Sequence, residues 1–502
     1  MKTDLRKRVI LVVLDGWGHR EETKHNSIAQ ADTPIMDQLI RDNSYTLIEA
    51  SGKAVGLPEG QMGNSEIGHM TLGSGRVIDT DYTRITKQAR NHRLIEMPAL
   101  RNCFDHVKKN QGIIHFMGLL GPGGVHAHDE HLMALVAEAK QYGVKNVAIH
   151  GFTDGRDTPP QSAINYVAEL IDFLENEQYG FIASLSGRYY SMDRDNNWDR
   201  LQAFLDIAIE NKTVLNTNHP VDTINESYRQ GLYDEYIKPM ALHRNAQVKS
   251  GDGIVIYNFR TDRVKMLATR LQSQIPQAVN LVTMTKINDE LELPVIFPPN
   301  DLSGGLAEII AKENLSQLHI AETEKFAHVT YYFNGGKHQP NLLEKQVLVD
   351  SRKDVATHDL APEMKALEIT NLATDAIDTQ DYNFILINYA NPDMVGHTAN
   401  AKALKTAIET VDYQLGSLIN AARKKHYQII ITADHGNAEI EYDEDNQTGH
   451  TAHTSNPVPF LIVDRQYQLR SDGSIADVAP TILNIMGLLP SKYMTGKSLI
   501  VD

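Results

Sequence analysis

The chain is poor in cysteine: Cys103 is its one thiol among 502 residues. An internal disulfide is excluded, and a reducing compartment is expected. Long apolar runs are also missing. No stretch reaches the about 20 residues that span a bilayer as a helix. The basic start, Met1 to Arg8, leads into apolar Val9–Leu14, but that run is too short for a signal peptide, and Asp15-Gly16-Trp17-Gly18 interrupts it. A cytoplasmic protein with no membrane partner is therefore expected. Positive charge is scarce. Lys and Arg number 48 against 64 Asp and Glu, for a formal net charge of −16. That balance excludes nucleic acid as the expected partner. It also repels anionic substrates at long range, so an anionic substrate needs a local basic pocket. Internal repeats, low-complexity tracts and long like-charge runs are absent.

What is present points to two domains, the default at this length. Val9–Leu14 reads as a buried strand that ends at Asp15-Gly16. A helix is expected from Pro34 to about Ile40. Further strands are expected at 112–120, 144–150, 180–185 and 253–257. Each is followed by a loop rich in Arg, His, Asp and Gly. If these strands are parallel, all four loops open on one sheet edge. Six candidate binders then converge: His126, Arg156, Arg188, Arg194, Arg260 and Arg263. Guanidinium forks suit carboxylate and phosphate groups. The proline-rich crossing at 293–301 marks a domain boundary. Beyond it a helix is expected at 304–314 and strands at 326–333, 384–388, 428–432 and 460–463. Gly335-Gly336 reads as a turn, and 403–422 as a long helix.

Ser65 follows Gly63-Asn64 in a turn that opens a short helix. A hydroxyl there is exposed, and a helix N-terminus favours phosphate. Alone, it reads as an N-cap. The ends of three strands carry metal-type ligands: Asp15, Asp393 with His397, and Asp434 with His435. His450 and His453 follow closely. Each alone reads as a cap, a turn or a structural histidine; the combination is the signal. Asp393 and His397, four apart on a helical turn, share a face. Asp434 and His435, being adjacent, are expected to point apart and so to serve two metals, one on each side. Two metals about 4 Å apart can hold a phosphoryl group and an attacking oxygen together, and a serine hydroxyl there becomes an activated nucleophile. The carboxylate and imidazole set suits Mn²⁺ or Zn²⁺. Mn²⁺ is placed first, and Co²⁺ is a further alternative. The joint reading is phosphoryl transfer on a small, phosphorylated, carboxylate-bearing molecule. Asp157, beside Arg156, could act as general base toward a substrate hydroxyl. It could equally pair with Arg156 or cap a helix.

These stretches resemble the cofactor-independent phosphoglycerate mutases of the alkaline phosphatase superfamily. The resemblance is carried by Leu57-Pro58-Glu59-Gly60-Gln61-Met62-Gly63-Asn64-Ser65-Glu66, Asp154-Gly155-Arg156-Asp157-Thr158-Pro159-Pro160, Gly187-Arg188-Tyr189-Tyr190, the segment Asn388 to His397, and Thr432-Ala433-Asp434-His435-Gly436-Asn437. It implies an α/β fold: an alkaline-phosphatase-like domain with a mostly parallel sheet (1–79 and 302–502), interrupted by an inserted α/β substrate-binding transferase domain (80–301). It implies that Ser65 is the nucleophile that becomes phosphoserine. Asp15, Ser65, Asp434 and His435 would hold one metal, and Asp393, His397 and His453 the other. His126, Arg156, Asp157, Arg188, Arg194, Arg260, Arg263 and Lys325 would bind substrate, with Asp157 and Lys325 also catalytic. The implied reaction interconverts 3-phosphoglycerate and 2-phosphoglycerate in a monomer. Thr153, Thr261 and Ala399 stand where the family pattern has an apolar residue, proline and glycine. None of them replaces a proposed ligand.

Rival readings are weaker. A phosphatase needs no four loops of anion binders. A phosphopentomutase-like enzyme typically has threonine as its nucleophile. A sulfatase needs a Ser/Cys-x-Pro-x-Arg setting, which Ser65 lacks. A binding protein without catalysis would have lost one of the proposed ligands, and none is lost.

Overall fold

The computed structural model describes residues 8–209, 219–243, 246–276 and 278–501; the basic start, residues 1–7, lies outside them. The chain forms two compact units, one of residues 1–79 and 301–502, the other of residues 80–300. Among the described residues no helix is long and apolar enough to cross a membrane.

The first unit is built on a seven-stranded sheet. Its order is Glu344–Val349, Gln317–Glu322, Phe384–Tyr389, Arg8–Leu14, Tyr427–Thr432, Val458–Ile462 and Ser44–Ile48. The first five strands are parallel, and Val458–Ile462 runs antiparallel between its two neighbours. Arg8–Leu14 is central, and Val9 through Leu14 are fully buried. A continuous apolar run is what a parallel strand covered on both faces requires. Register does the rest. Leu14 lies opposite Tyr389, and Val13 opposite Thr432. The chain therefore leaves all three strands at one edge, at Asp15, Ala390 and Ala433.

One expected strand is absent. Residues 326–333 are helical: Thr323–Ala327 is an α-helix, followed by a wide π-turn over His328–Tyr332. The run is aromatic and β-branched, which favours strands only where a pleated surface awaits it. Here Lys325, Val329, Thr330 and Phe333 are the buried positions, and that is helical spacing. The other expected strands and helices of this unit form within a few residues of their expected bounds.

The second unit has its own seven-stranded sheet, ordered Met240–Ala241, Phe181–Gly187, Asn146–Thr153, Ile113–Leu119, Gly253–Ile256, Asn280–Thr285 and Val295–Phe297. All pairings are parallel except that of Met240–Ala241. The loops after 119, 153, 187 and 256 thus open on one edge. A polar row crosses this sheet. Ser184 Oγ lies 2.8 Å from His150 Nδ1, His150 Nε2 lies 3.0 Å from His115 Nδ1, and His115 Nε2 lies 3.3 Å from Asp252.

Two expectations follow from this packing. Leu11 is fully buried in the central strand, so Leu11→Ala should cost about 2–5 kcal/mol in urea unfolding. An unchanged midpoint would contradict it. His131, buried beside Thr86, is pushed down to about 4, by burial first and then by His128. Its folded value lies below its unfolded one, so the unfolded chain binds the extra proton between pH 6.5 and 4. Its contribution is intact above that window and is lost as pH falls through it. In chelator, the stability lost from pH 7 to pH 5 should be smaller in His131→Gln than in the wild type. Equal losses would contradict this.

Candidate active site

Ser65 is the first residue of the helix Ser65–Ser74. Asn64 is extended, and its side chain accepts a hydrogen bond from Ile67 N–H at 3.0 Å. The cap is therefore Asn64, and the Ser65 hydroxyl is left for other partners. The helix comes close to the strand-end loop because residue 68 has no side chain. A Cβ there would lie 2.7 Å from the Asp434 carbonyl oxygen. Ser65 Oγ accepts from Lys325 Nζ at 2.7 Å, and its one proton faces two acceptors, His435 Nε2 at 2.8 Å and Asp15 at 3.3 Å.

Asp15, Asp393 and Asp434 are all buried to within 1%. Lys325 Nζ reaches Asp15 at 2.7 Å and Asp393 at 2.6 Å, besides Ser65. Its three donors are thus all used. Burial alone would lower the ammonium, but Asp15 and Asp393 raise it well above its usual range. Asp15 is pushed up, by burial first and then by Asp434. Asp393 is held well down by Lys325, His397 and His453, against burial. Lys325 belongs to the first unit and to this cluster, not to the arginine loops.

Three imidazoles complete the cluster. Each turns Nδ1 to a backbone carbonyl: His453 to Gly63 at 2.9 Å, His397 to Thr451 at 2.7 Å and His435 to Gly436 at 3.3 Å. With Nδ1–H donating there, Nε2 carries the lone pair. His453 Nε2 lies 3.3 Å from both His397 Nε2 and Asp393 Oδ1, and His397 Nε2 lies 3.3 Å from Asp393 Oδ1. Acceptors facing acceptors at this distance call for a cation or a proton between them. The Asp393 carboxylate raises His397, and it raises His453 against burial. Two sets of possible ligands emerge, Asp15–Asp434–His435 and Asp393–His435–His453, each with its ligand atoms within 4.8 Å of one another. All donors are oxygen and nitrogen, which fits a divalent cation. His397 is the exposed member beside the second set.

Asp434 and His435 do not point apart. Their Oδ2 and Nε2 lie 3.5 Å from each other, and His435 stands in both sets. The strand ends at Thr432, so strand alternation no longer governs these two side chains. His450 joins neither set; its N–H bonds to Glu441 O at 3.0 Å. Ala399 takes a left-handed backbone, φ 52°, which explains why glycine suits that position.

Several supporting residues went unread in the sequence. His69 Nδ1 lies 3.1 Å from Asp434 and 2.9 Å from Ser65 O. Asn388 donates to Asp15 at 2.7 Å, and Asn437 to Asp393 at 3.2 Å. One signal was available: His69 follows Ser65 by four, on the same helical face.

The residues expected to bind an anion, His126 and the five arginines, all lie in the second unit. Arg188 is buried; its Nη1 reaches Asp154 at 2.5 Å and Asp157 at 2.6 Å, and its Nη2 reaches His126 Nε2 at 3.1 Å. Asp157 thus pairs with Arg188, which holds it below the usual range against burial. His126 is pushed down to about 4, by burial and then by Arg188, and is neutral at pH 7. Arg194 and Arg260 share Asp262 at 3.3 and 3.2 Å. Arg156 lies 3.6 Å from Glu235. Arg263 is lowered, by burial and then by Arg188, Arg194 and Arg156. Crowded guanidinium groups of this kind are relieved by a bound anion.

Buried carboxylates and imidazoles at the C-terminal edge of a parallel sheet define a metalloenzyme. A model of the Metalloenzyme superfamily matches residues 7–490. Among curated relatives, the 2,3-bisphosphoglycerate-independent phosphoglycerate mutase of Thermosynechococcus vestitus is 44% identical, covering 98% of this chain and 96% of its own. That of Shewanella sp. (strain MR-7) is 41% identical, covering 99% of each. A crystal structure of Leishmania mexicana phosphoglycerate mutase, at low cobalt concentration, aligns with a TM-score of 0.61 and 29% identity, over 100% of this chain and 99% of that one. The chain belongs to the 2,3-bisphosphoglycerate-independent phosphoglycerate mutases, within the metalloenzyme superfamily.

Removing a group that supports a proposed ligand should weaken metal binding before it affects folding. Asn388→Ala is expected to raise the Mn²⁺ dissociation constant roughly 10–100-fold by calorimetric titration. Wild-type affinity would contradict the role given to Asn388.

Proposed function

We propose that the protein interconverts 3-phosphoglycerate and 2-phosphoglycerate, with no bisphosphoglycerate added, through a phosphoseryl group on Ser65. This is the step shared by glycolysis and gluconeogenesis. The observation that carries the reading is the Ser65 hydroxyl, in contact with Lys325, His435 and Asp15. The names of the full-length relatives agree with it. The protein is read as a cytoplasmic monomer acting on a small molecule.

In this reading Asp15, Ser65, Asp434 and His435 hold one divalent cation, and Asp393, His397 and His453 hold the other. Mn²⁺ is the first choice, with Zn²⁺ or Co²⁺ as alternatives. When bound, the cations draw charge from the serine oxygen and the phosphoryl oxygens. Lys325 places a fixed positive charge at the serine oxygen and steadies the charge that develops there. His126, Arg156, Arg188, Arg194, Arg260 and Arg263 hold the anionic groups of the substrate and retain glycerate while it turns. The Ser65 O–P bond forms as one glycerate C–O–P linkage breaks. It then breaks as the other glycerate oxygen takes the phosphoryl group. Ser65 gives up its hydroxyl proton in the first transfer and regains one in the second. Asp157, ionised at rest, relays that proton to the glycerate oxygen that is released and takes one from the oxygen that attacks. Ser65 itself is 6% exposed, and a phosphoseryl group there has to be kept from water if it is to return to glycerate.

The test uses protein stripped with chelator and refilled with Mn²⁺. Conversion of 3-phosphoglycerate to 2-phosphoglycerate should proceed without bisphosphoglycerate. Ser65→Ala should reduce it by at least about 10³-fold, as expected for loss of a nucleophile. Inorganic phosphate released with no isomer formed would overturn the reading in favour of a phosphatase.

A further inference from the structure

Glu439 is fully buried, five residues beyond Asp434, and stands in neither ligand set. Its carboxylate takes four hydrogen bonds. Oε2 accepts from Gly18 N–H at 3.2 Å and from Asn437 N–H at 2.9 Å. Oε1 accepts from Asn456 Nδ2 at 3.0 Å and from the Thr454 hydroxyl. Both oxygens of the carboxylate thus accept twice. The donors come from three separate segments. Gly18 follows Asp15 by three residues, Asn437 follows His435 by two, and Thr454 follows His453 directly. Every segment tied to Glu439 therefore carries a proposed metal ligand.

The close packing around this carboxylate points the same way. A Cβ on Gly18 would overlap the Glu439 carboxyl carbon, and a Cβ on Gly436 would overlap Glu439 Oε1 and Thr454 Oγ1. Two glycines thus make room for one carboxylate. A buried group of this kind is costly unless every oxygen is satisfied. Once satisfied, it fixes the segments that satisfy it.

We propose that Glu439 is a positioning residue of the metal centre: its carboxylate sets the spacing of the three loops that present Asp15, Asp434–His435 and His453. The proposal rests on the metal-centre reading given above, and its test separates the two. Mn²⁺ is titrated into metal-stripped wild type, Glu439→Gln, Thr454→Val and Thr454→Ser, with free Mn²⁺ read by electron paramagnetic resonance. Glu439→Gln and Thr454→Val should each weaken Mn²⁺ binding roughly tenfold or more, and Thr454→Ser should stay within about twofold of wild type. With Mn²⁺ saturating, KM for 3-phosphoglycerate should be unchanged. Should Glu439→Gln fail to fold, the Thr454 pair decides alone. Wild-type affinity in Glu439→Gln and Thr454→Val would overturn the proposal. A wild-type protein that binds no Mn²⁺ would overturn the metal-centre reading itself.

Discussion

Three carboxylates buried to within 1% of full burial share one small volume in the first unit, and a single ammonium, that of Lys325, touches two of them. Like charges at such distances, away from water, repel strongly. The fold brings them together because three apolar strands in register end together, and each is followed at once by an acidic residue or a short turn leading to one. The sheet supplies rigid placement, and the strand ends supply the charge. Positive partners are then obligatory. Lys325 is one, and the imidazole lone pairs that face Asp393 mark where cations belong.

Charge of the opposite sign is handled differently in the second unit. The chain is strongly acidic overall, yet its four strand-end loops gather five arginines and a neutral histidine. Only Arg188 is buried, its Nη1 held between Asp154 and Asp157. Arg156, Arg194 and Arg260 are about half exposed and make single, longer pairs. The buried arginine ties the loops after 119, 153 and 187 together through His126, Asp154 and Asp157, while the other three keep exposed guanidinium surface. In the proposed reading, these loops supply the local positive charge that an acidic protein needs for an anionic substrate.

Much of this was legible in the chain. An apolar run followed by Asp, Arg or His is a local pattern, and the strands at 9–14, 112–120, 180–185 and 428–432 were found by it. What failed was extrapolation from local rules. The run 326–333 has strand-like residues but packs as a helix, because its buried positions recur at helical spacing. Adjacency alone suggests that Asp434 and His435 point apart, but beyond the strand end at Thr432 the backbone turns and brings them together. Asp157 sits beside Arg156 in the chain but pairs with Arg188, 31 residues away. Long-range partners leave no local mark. The contacts of Lys325 with Asp15 and Asp393, and of Glu439 with Gly18 and Thr454, come from residues that folding brings near.

The central claim is that Ser65 carries the phosphoryl group during turnover. The most direct measurement is rapid acid quenching of the Mn²⁺-loaded protein with phosphorus-labelled 3-phosphoglycerate, followed by mapping of the labelled peptide. The account predicts label on Ser65 within one turnover. Isomer formed with no label on Ser65 at any quench time would contradict it.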